Sequence, residues 1–185
     1  MKGVIFRAFF SHVEEMHGEE FLEELIEDAQ LENGGAYTAV GTYDADELVT
    51  LVVGLSEKTG AGAPKILRGF GFALFNLLAQ TYPGLIEHCK DSFALISAID
   101  NFIHVEVKKL YPDADLPRFK ILQKGTDRLT VQYESTRGFS DLAEGLFEGC
   151  FQFFGEDVET TSHDVSQGEK TSVTFSFKRR RPASG

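Results

Sequence analysis

The spacing of the apolar residues changes at Pro112, and this change constrains the fold more than any other feature of the chain. Before Pro112, apolar residues recur every three or four positions, as Ile5, Phe9 and Val13 do, which is typical of amphipathic helices. After Pro112, apolar and polar residues alternate over short stretches, which is typical of strands. The sequence therefore predicts an α+β fold in which a helical N-terminal lobe packs on a C-terminal lobe with a small antiparallel sheet.

Capping residues, glycines and prolines divide the two halves into elements. The predicted helices cover 3–17, 19–29, 45–58, 65–80, 93–110 and 139–154, and the predicted strands cover 119–123, 128–133, 158–163 and 171–177. The segment 93–110 is the longest predicted helix. We find no internal repeat and no linker, so residues 1–178 are predicted to form a single domain, followed by a disordered basic tail at 179–185.

The charge of the chain argues against several classes of partner. It has 18 lysines and arginines against 29 aspartates and glutamates, a formal net charge of −11. Such a chain is repelled by nucleic acid and by anionic membranes, and no apolar run approaches the ~20 residues of a membrane span. The N-terminus has no signal-peptide pattern, and two cysteines, Cys89 and Cys150, are typical of a reducing compartment. We therefore expect a cytoplasmic protein with no nucleic-acid or membrane partner.

Three hydrogen-bond donors follow one another at every second position: Tyr133, Ser135 and Arg137. In an extended chain they emerge on one face, along a line of about 13 Å. An arginine can bind a carboxylate through two parallel hydrogen bonds. The row therefore suits an elongated ligand with one or two carboxylates, although an exposed strand end accounts for the same spacing.

One histidine of the predicted helix 93–110 also stands out. The apolar stripe of that helix runs from Ile96 to Leu110, and His104 lies about 100° away from it, an angle typical of a solvent-exposed residue. Ser97 and Asn101, on the preceding turns of the same face, are short. They leave room for a flat ligand against this face.

Together these features resemble a known family. The chain begins Lys2-Gly3, has His104 in the long helix, continues with Leu110-Tyr111-Pro112-Asp113-Ala114 and Pro117, and then carries Tyr133-x-Ser135-x-Arg137. This combination resembles the H-NOX (haem nitric oxide/oxygen binding) family, from Met1 to about Phe177. The resemblance implies that a haem lies between the two lobes.

The resemblance also implies a role for each of these residues. His104 corresponds to the proximal ligand of a ferrous haem b iron, and a neutral imidazole suits that role. Tyr133, Ser135 and Arg137 correspond to the residues that bind the haem propionates. Pro117 corresponds to a proline that presses on the porphyrin and keeps it distorted.

The gas that such a haem prefers depends on its distal pocket. In oxygen-binding members of the family a distal tyrosine lies five positions after the motif arginine, and here that position is Leu142. The chain has no tryptophan, and His12 and His17 are expected to be exposed. We predict an apolar distal pocket lined by Ile5, Phe9 and Leu142. It favours nitric oxide over O₂, because bound O₂ gains much from a nearby donor and bound NO gains little; CO is also expected to bind.

The function that the resemblance implies is a stand-alone gas sensor and not an enzyme. Binding of NO would weaken the bond between iron and His104, and the helix 93–110 would shift. A separate histidine kinase or diguanylate cyclase would then recognise the altered surface of this protein. Some relatives carry a structural zinc near the C-terminal sheet, but only Cys150 and His163 lie in that region, so no zinc is expected. The alternative is a carrier for an apolar carboxylate that uses the Arg137 row without iron.

Overall fold

The computed structural model describes residues 1–168 and 170–180, and within them the chain has an α+β fold. The helices are α1 (Gly3–His17), α2 (Glu19–Ala29), α3 (Ala45–Thr59), α4 (Ala63–Thr81), α5 (Ser92–Ser97), α6 (His104–Leu110) and α7 (Ser140–Phe153). The strands are β1 (Arg118–Lys124), β2 (Arg128–Ser135), β3 (Val158–Asp164) and β4 (Thr171–Arg179). The fold class predicted from apolar spacing is confirmed.

The N-terminal lobe consists of helices α1 to α4 around a core of aliphatic and aromatic side chains. Phe6, Phe9, Leu25 and Phe70 are among its fully buried members. The first turn of α1 lies directly on the loop that precedes α3, and a Cβ atom on Gly3 would come within 2.0 Å of the Thr38 carbonyl oxygen. Only glycine allows this approach, which brings the N-terminus next to the rest of the lobe.

The four strands form one antiparallel sheet in the order β1-β2-β4-β3. Helix α7 covers one face of this sheet. The ring of Phe147 on α7 contacts the rings of Phe119, Phe175 and Phe177, with centroid separations of 5.8, 5.3 and 5.0 Å. The edge-to-face geometry of these pairs is one that aromatic rings prefer, and these four phenylalanines belong to the core of the sheet lobe.

The two lobes are joined where α7 crosses α4. A Cβ atom on Gly145 would lie 2.0 Å from the Arg68 carbonyl oxygen, and one on Gly71 would lie 2.2 Å from the Leu142 carbonyl oxygen. The glycines thus let the two helix backbones touch, as small residues do at other close helix crossings. This contact fixes how the helical lobe sits on the sheet lobe.

The predicted helix 93–110 is not a continuous α-helix, and α4 is longer than any of its parts. Between α5 and α6 lies a π-helical turn, Ile99–Ile103. The amide of Ile103 donates to the Ala98 carbonyl at 3.1 Å, and the amide of His104 donates to the Ile99 carbonyl. Each bond spans five residues instead of four, so the turn contains one extra residue.

The boundary predicted between the domain and its tail is wrong at Arg179, which is the last residue of β4. Its Nε atom lies 2.8 Å from Glu156 Oε2, and its guanidinium carbon lies 4.0 Å from the centroid of the Phe93 ring. These contacts make Arg179 part of the sheet lobe. Residues 181–185 of the predicted tail lie outside the described residues. No helix in 1–168 or 170–180 is long and apolar enough to cross a membrane.

Candidate functional site

The π-helical turn changes the position of His104. The extra residue of that turn sets every later residue back by about 100° relative to an unbroken α-helix. His104 therefore occupies the angle at which the apolar stripe continues, and its side chain is only 18% exposed. Leu110, predicted to be buried, is 60% exposed for the same reason. Both predictions from helical periodicity are wrong, and the same insertion explains both.

The polar contact of His104 defines its tautomer. Its Nδ1 atom lies 3.1 Å from Asp100 Oδ1, and its ring centroid lies 5.8 Å from that of Phe119. Burial lowers the pKa of His104, and the Asp100 carboxylate opposes this shift without cancelling it. The imidazole is therefore neutral at pH 7. Because a carboxylate accepts hydrogen bonds, the short contact with Asp100 favours the tautomer with the proton on Nδ1, which leaves the Nε2 lone pair for a metal ion.

Of the three donors predicted to lie along one extended strand, Tyr133, Ser135 and Arg137, only the first two belong to the strand. Tyr133 is buried within β2, and burial raises the pKa of its hydroxyl while hydrogen bonding with Ser135 and with the Phe139 backbone opposes that shift. Ser135 ends β2, and its Oγ accepts a hydrogen bond of 3.1 Å from the Arg137 amide. Such a hydroxyl-to-backbone bond turns the chain. Arg137 thus lies beyond the strand, and the prediction of three aligned side chains is wrong at this residue.

Arg137 binds a carboxylate of the protein itself. Its Nη2 lies 2.7 Å from Asp115 Oδ2, and its Nη1 donates to the Asp115 carbonyl at 3.0 Å. The pKa of the Met1 ammonium group is lowered by burial and then by the nearby Arg137 charge, so two positive groups lie close together here. Asp115 is 68% exposed and is free to give way to another carboxylate. The donor set therefore fits a carboxylate ligand such as a haem propionate.

Pro117 connects the two parts of the candidate site. It is half-buried and directly precedes β1. Two residues before it lies Asp115, the partner of Arg137, and two residues after it lies Phe119, which packs on His104. The loop around Pro117 thus brings His104 and Arg137 into one region, and both fit a haem with a histidine-ligated iron.

The three residues predicted to line the distal pocket lie in the core of the N-terminal lobe. Phe9 is fully buried, and its ring meets that of Phe70 edge-on at 5.1 Å. Leu142 is buried and Ile5 is half-buried in the same core. Leu146 packs against this core and against the core of the sheet lobe, so the trio and His104 lie on opposite sides of the junction between the lobes.

Two polar side chains contact aromatic rings of this core. Tyr37 is buried and stacked on Phe6 at 4.1 Å, and its hydroxyl donates to Glu47. His12 is half-buried, with its ring 6.1 Å from that of Phe70, so the expectation that it is exposed is wrong. Burial lowers the pKa of His12. Its burial follows from the packing of α4 under α1, which the sequence of α1 alone does not reveal.

The region in which some relatives carry zinc has one buried thiol. Cys150 is 2% exposed, and burial raises the pKa of its thiol well above the usual range. His163 is exposed on β3. Across 1–168 and 170–180, the structure does not bring together three or more His, Cys, Asp or Glu side chains in a way that could hold a metal ion.

Sequence reasoning assigned no role to two carboxylates of the site. Asp100 precedes His104 by four residues, a helical spacing that places the two side chains near each other. Asp115 carries no such signal, because its contact with Arg137 joins a loop to the end of a strand 22 residues away.

Comparisons with known proteins identify the family to which this chain is similar. The chain matches the family model described as haem-NO-binding over residues 2–162. The crystal structure of the Fe(II) unliganded H-NOX protein from K. algicida is 33% identical, with a TM-score of 0.92 over 99% of this chain and 98% of that one. A mutant of that protein is 34% identical, with a TM-score of 0.93 over the same shares of the two chains.

A more distant match is similar in fold. The H-NOX protein from S. oneidensis in the Fe(II)NO ligation state is 24% identical, with a TM-score of 0.88 over 98% of this chain and 100% of that one. Among curated protein sequences no match was found.

Proposed function

This chain belongs to the haem-NO-binding (H-NOX) family and has its haem-binding gas-sensor fold, and we propose that it senses nitric oxide at a ferrous haem b. The observation that carries the proposal is the state of His104, a largely buried and neutral imidazole whose Nδ1 faces Asp100. This state leaves Nε2 as a ligand for iron. When bound, haem supplies an iron atom with an open sixth position for a diatomic gas.

The haem propionates are proposed to bind Tyr133, Ser135 and Arg137. Arg137 already binds Asp115 through two contacts, one from Nη2 to the carboxylate and one from Nη1 to the backbone carbonyl. A propionate that replaces the exposed Asp115 side chain gains the same charge-assisted contact. Pro117, between these contacts and His104, is proposed to press on the porphyrin.

The selectivity for NO over O₂ is proposed to come from Ile5, Phe9 and Leu142. These side chains offer no hydrogen bond, and the hydroxyl of Tyr37 in the same lobe core is engaged by Glu47. A bound O₂ would therefore find no free donor among these groups, whereas NO and CO need none. This supports a sensor that ignores air.

The signal is proposed to leave this protein as a conformational change that a separate protein recognises. Following the family resemblance, that partner is a histidine kinase or a diguanylate cyclase, and this chain acts in the cytoplasm as a sensor and not as an enzyme. The chemistry of the described site supports the last point, because the proposed distal side chains offer no acid–base group for catalysis on a bound substrate.

The test is the absorption spectrum of the reduced, haem-loaded protein under argon, then with NO, then in air. We expect a five-coordinate high-spin spectrum that responds to NO and is unchanged by O₂. The variant His104→Gly should lose this spectrum and regain it with added imidazole, whereas His88→Gly, at a histidine that is 73% exposed, should behave as the native protein does.

Other outcomes would redirect the proposal. A stable oxygen complex in air would mean that a distal donor exists. Failure to take up haem at all would favour the carrier of an apolar carboxylate, for which Arg137 would still be the binding residue.

A further inference from the structure

The carboxylate of Asp100 contacts two different elements of the sheet lobe at once. We propose that Asp100 is a positioning residue that orients the imidazole of His104 and mechanically links it to strand β1. The inference rests on the proposed function, because it assigns a role to the proximal side of that haem site. It predicts that a displacement of His104 reaches the sheet through this carboxylate.

Both oxygens of Asp100 have defined surroundings. Oδ1 is buried and lies 3.1 Å from His104 Nδ1, and no hydrogen bond of good geometry reaches it from any group of the described residues. Oδ2 accepts a hydrogen bond of 2.9 Å from the Phe119 amide. A buried carboxylate oxygen needs a donor, and the only donor beside Oδ1 in the described residues is the imidazole. The carboxylate is therefore held between a side chain and a strand.

The bond to Phe119 connects the two halves of the candidate site. β1 is an edge strand, and the amide that Phe119 directs at Asp100 is one that no neighbouring strand pairs in the described residues. Across the ladder Phe119 pairs with Tyr133, and their ring centroids lie 5.5 Å apart. The link therefore runs from His104 through Asp100 to Phe119 and on to Tyr133, the first residue of the proposed propionate row.

The helices on the two sides of Asp100 differ in how firmly they are held. At the start of α5, the Ser92 amide and hydroxyl donate to the two oxygens of Glu156 at 3.0 and 2.8 Å. Helix α5 also buries four of its six residues, whereas α6 buries none. Asp100 lies in the π-helical turn between these two helices. A movement of His104 is therefore expected to involve the turn and α6 while α5 stays in place.

The carboxylate also acts on the imidazole itself. A partner that accepts the second N–H of a metal-bound histidine fixes the ring orientation and raises the basicity of the ligating nitrogen, and loss of such partners typically weakens metal binding by about 10- to 100-fold. Asp100 should therefore strengthen the bond between His104 and iron. The same bond would be weaker in a protein without this carboxylate.

The experiment compares Asp100→Asn and Asp100→Ala with the matched control Glu106→Gln. All three variants remove one negative charge from the proximal segment, but the Glu106 carboxylate contacts Lys109. In the haem-free protein, ¹⁵N NMR of the His104 ring reports the tautomer and hydrogen exchange reports the Phe119 amide. In the haem-loaded protein, resonance Raman reports the iron–histidine stretching frequency.

We expect the Asp100 variants to lower this frequency, to mix the His104 tautomers, and, for Asp100→Ala, to speed exchange of the Phe119 amide by about tenfold or more. Glu106→Gln should change none of these. An unchanged iron–histidine frequency together with a single His104 tautomer in Asp100→Asn, or equal changes in Glu106→Gln, would overturn the inference. If Asp100→Ala does not fold, Asp100→Asn, which keeps the side-chain size, decides the question. A native-like spectrum in His104→Gly would instead overturn the proposed function.

Discussion

The two sides of the proposed haem site are built in different ways. On the proximal side, His104 and Arg137 each face a carboxylate, at 3.1 and 2.7 Å. On the distal side, Ile5, Phe9 and Leu142 are held by packing within an apolar core. Polar contacts are directional, so they set the orientation of a ligating side chain and the strength of its bond to a ligand. Apolar packing offers no hydrogen bond, so it excludes ligands that need a donor. The comparison suggests that the proximal side tunes and transmits the signal and that the distal side selects the gas.

The first prediction, which has the largest expected effect, tests whether apolar packing stabilises the distal side against unfolding. Phe9→Ala removes a fully buried ring and should lower the free energy of unfolding by about 3–5 kcal/mol, as measured by urea denaturation of the haem-free protein. Met16→Ala, on the same helix but at a residue that is 64% exposed, is the control. A loss below about 1 kcal/mol at Phe9 would mean that the core around it is loosely packed and that the comparison fails.

The second prediction concerns a variant that introduces a hydrogen-bond donor on the apolar distal side. Leu142→Tyr should create an oxygen complex that persists in air, because a new hydrogen bond to bound O₂ is expected to raise oxygen affinity by about 10- to 100-fold. Leu142→Phe has nearly the same volume without the hydroxyl and should still ignore air. An oxygen complex in both variants would point to a change of shape and not to the donor.

The third prediction tests whether Arg137 binds a haem propionate or serves only to bind Asp115. Arg137→Gln should release haem at least about tenfold faster, because a charged hydrogen bond contributes about 1.5–3 kcal/mol. Asp115→Asn removes the competing charge and should slow the release. The rates are measured by transfer of haem to an acceptor protein in excess. If both variants release haem equally fast, the role of Arg137 is to order the loop around Pro117.

The smallest expected effect concerns pH. Burial lowers the pKa of His12 in the folded state, so the unfolded state binds the proton more readily, and stability is lost as the pH falls through about 6.5. His12→Gln should therefore flatten the decline of the unfolding free energy between pH 7 and 5. His17→Gln, at an exposed residue of the same helix, should leave the slope as it is. Identical slopes in all three proteins would show that His12 is solvated.

Much of this architecture could be predicted from the sequence because its causes are local. Helices α1, α2 and α7 and all four strands lie within two residues of their predicted bounds, since glycine breaks and apolar periods are features of neighbouring residues. Tyr133, Ser135 and Arg137 were identified for the same reason. Their side-chain donors and their spacing can be seen within five consecutive residues, 133–137.

The sequence by itself determined the α+β class, most of the helical and strand segments, and the residue types of the proposed haem site. The tertiary structure alone decided that His104 is largely buried and Leu110 exposed, because the π-helical turn that precedes both residues shifts their angles, and Asp100 in that turn bonds to the distant Phe119. It also decided that Asp115 binds Arg137. Periodicity assumes one unbroken helix, and no local pattern encodes a hydrogen bond between Asp100 and a strand 19 residues away.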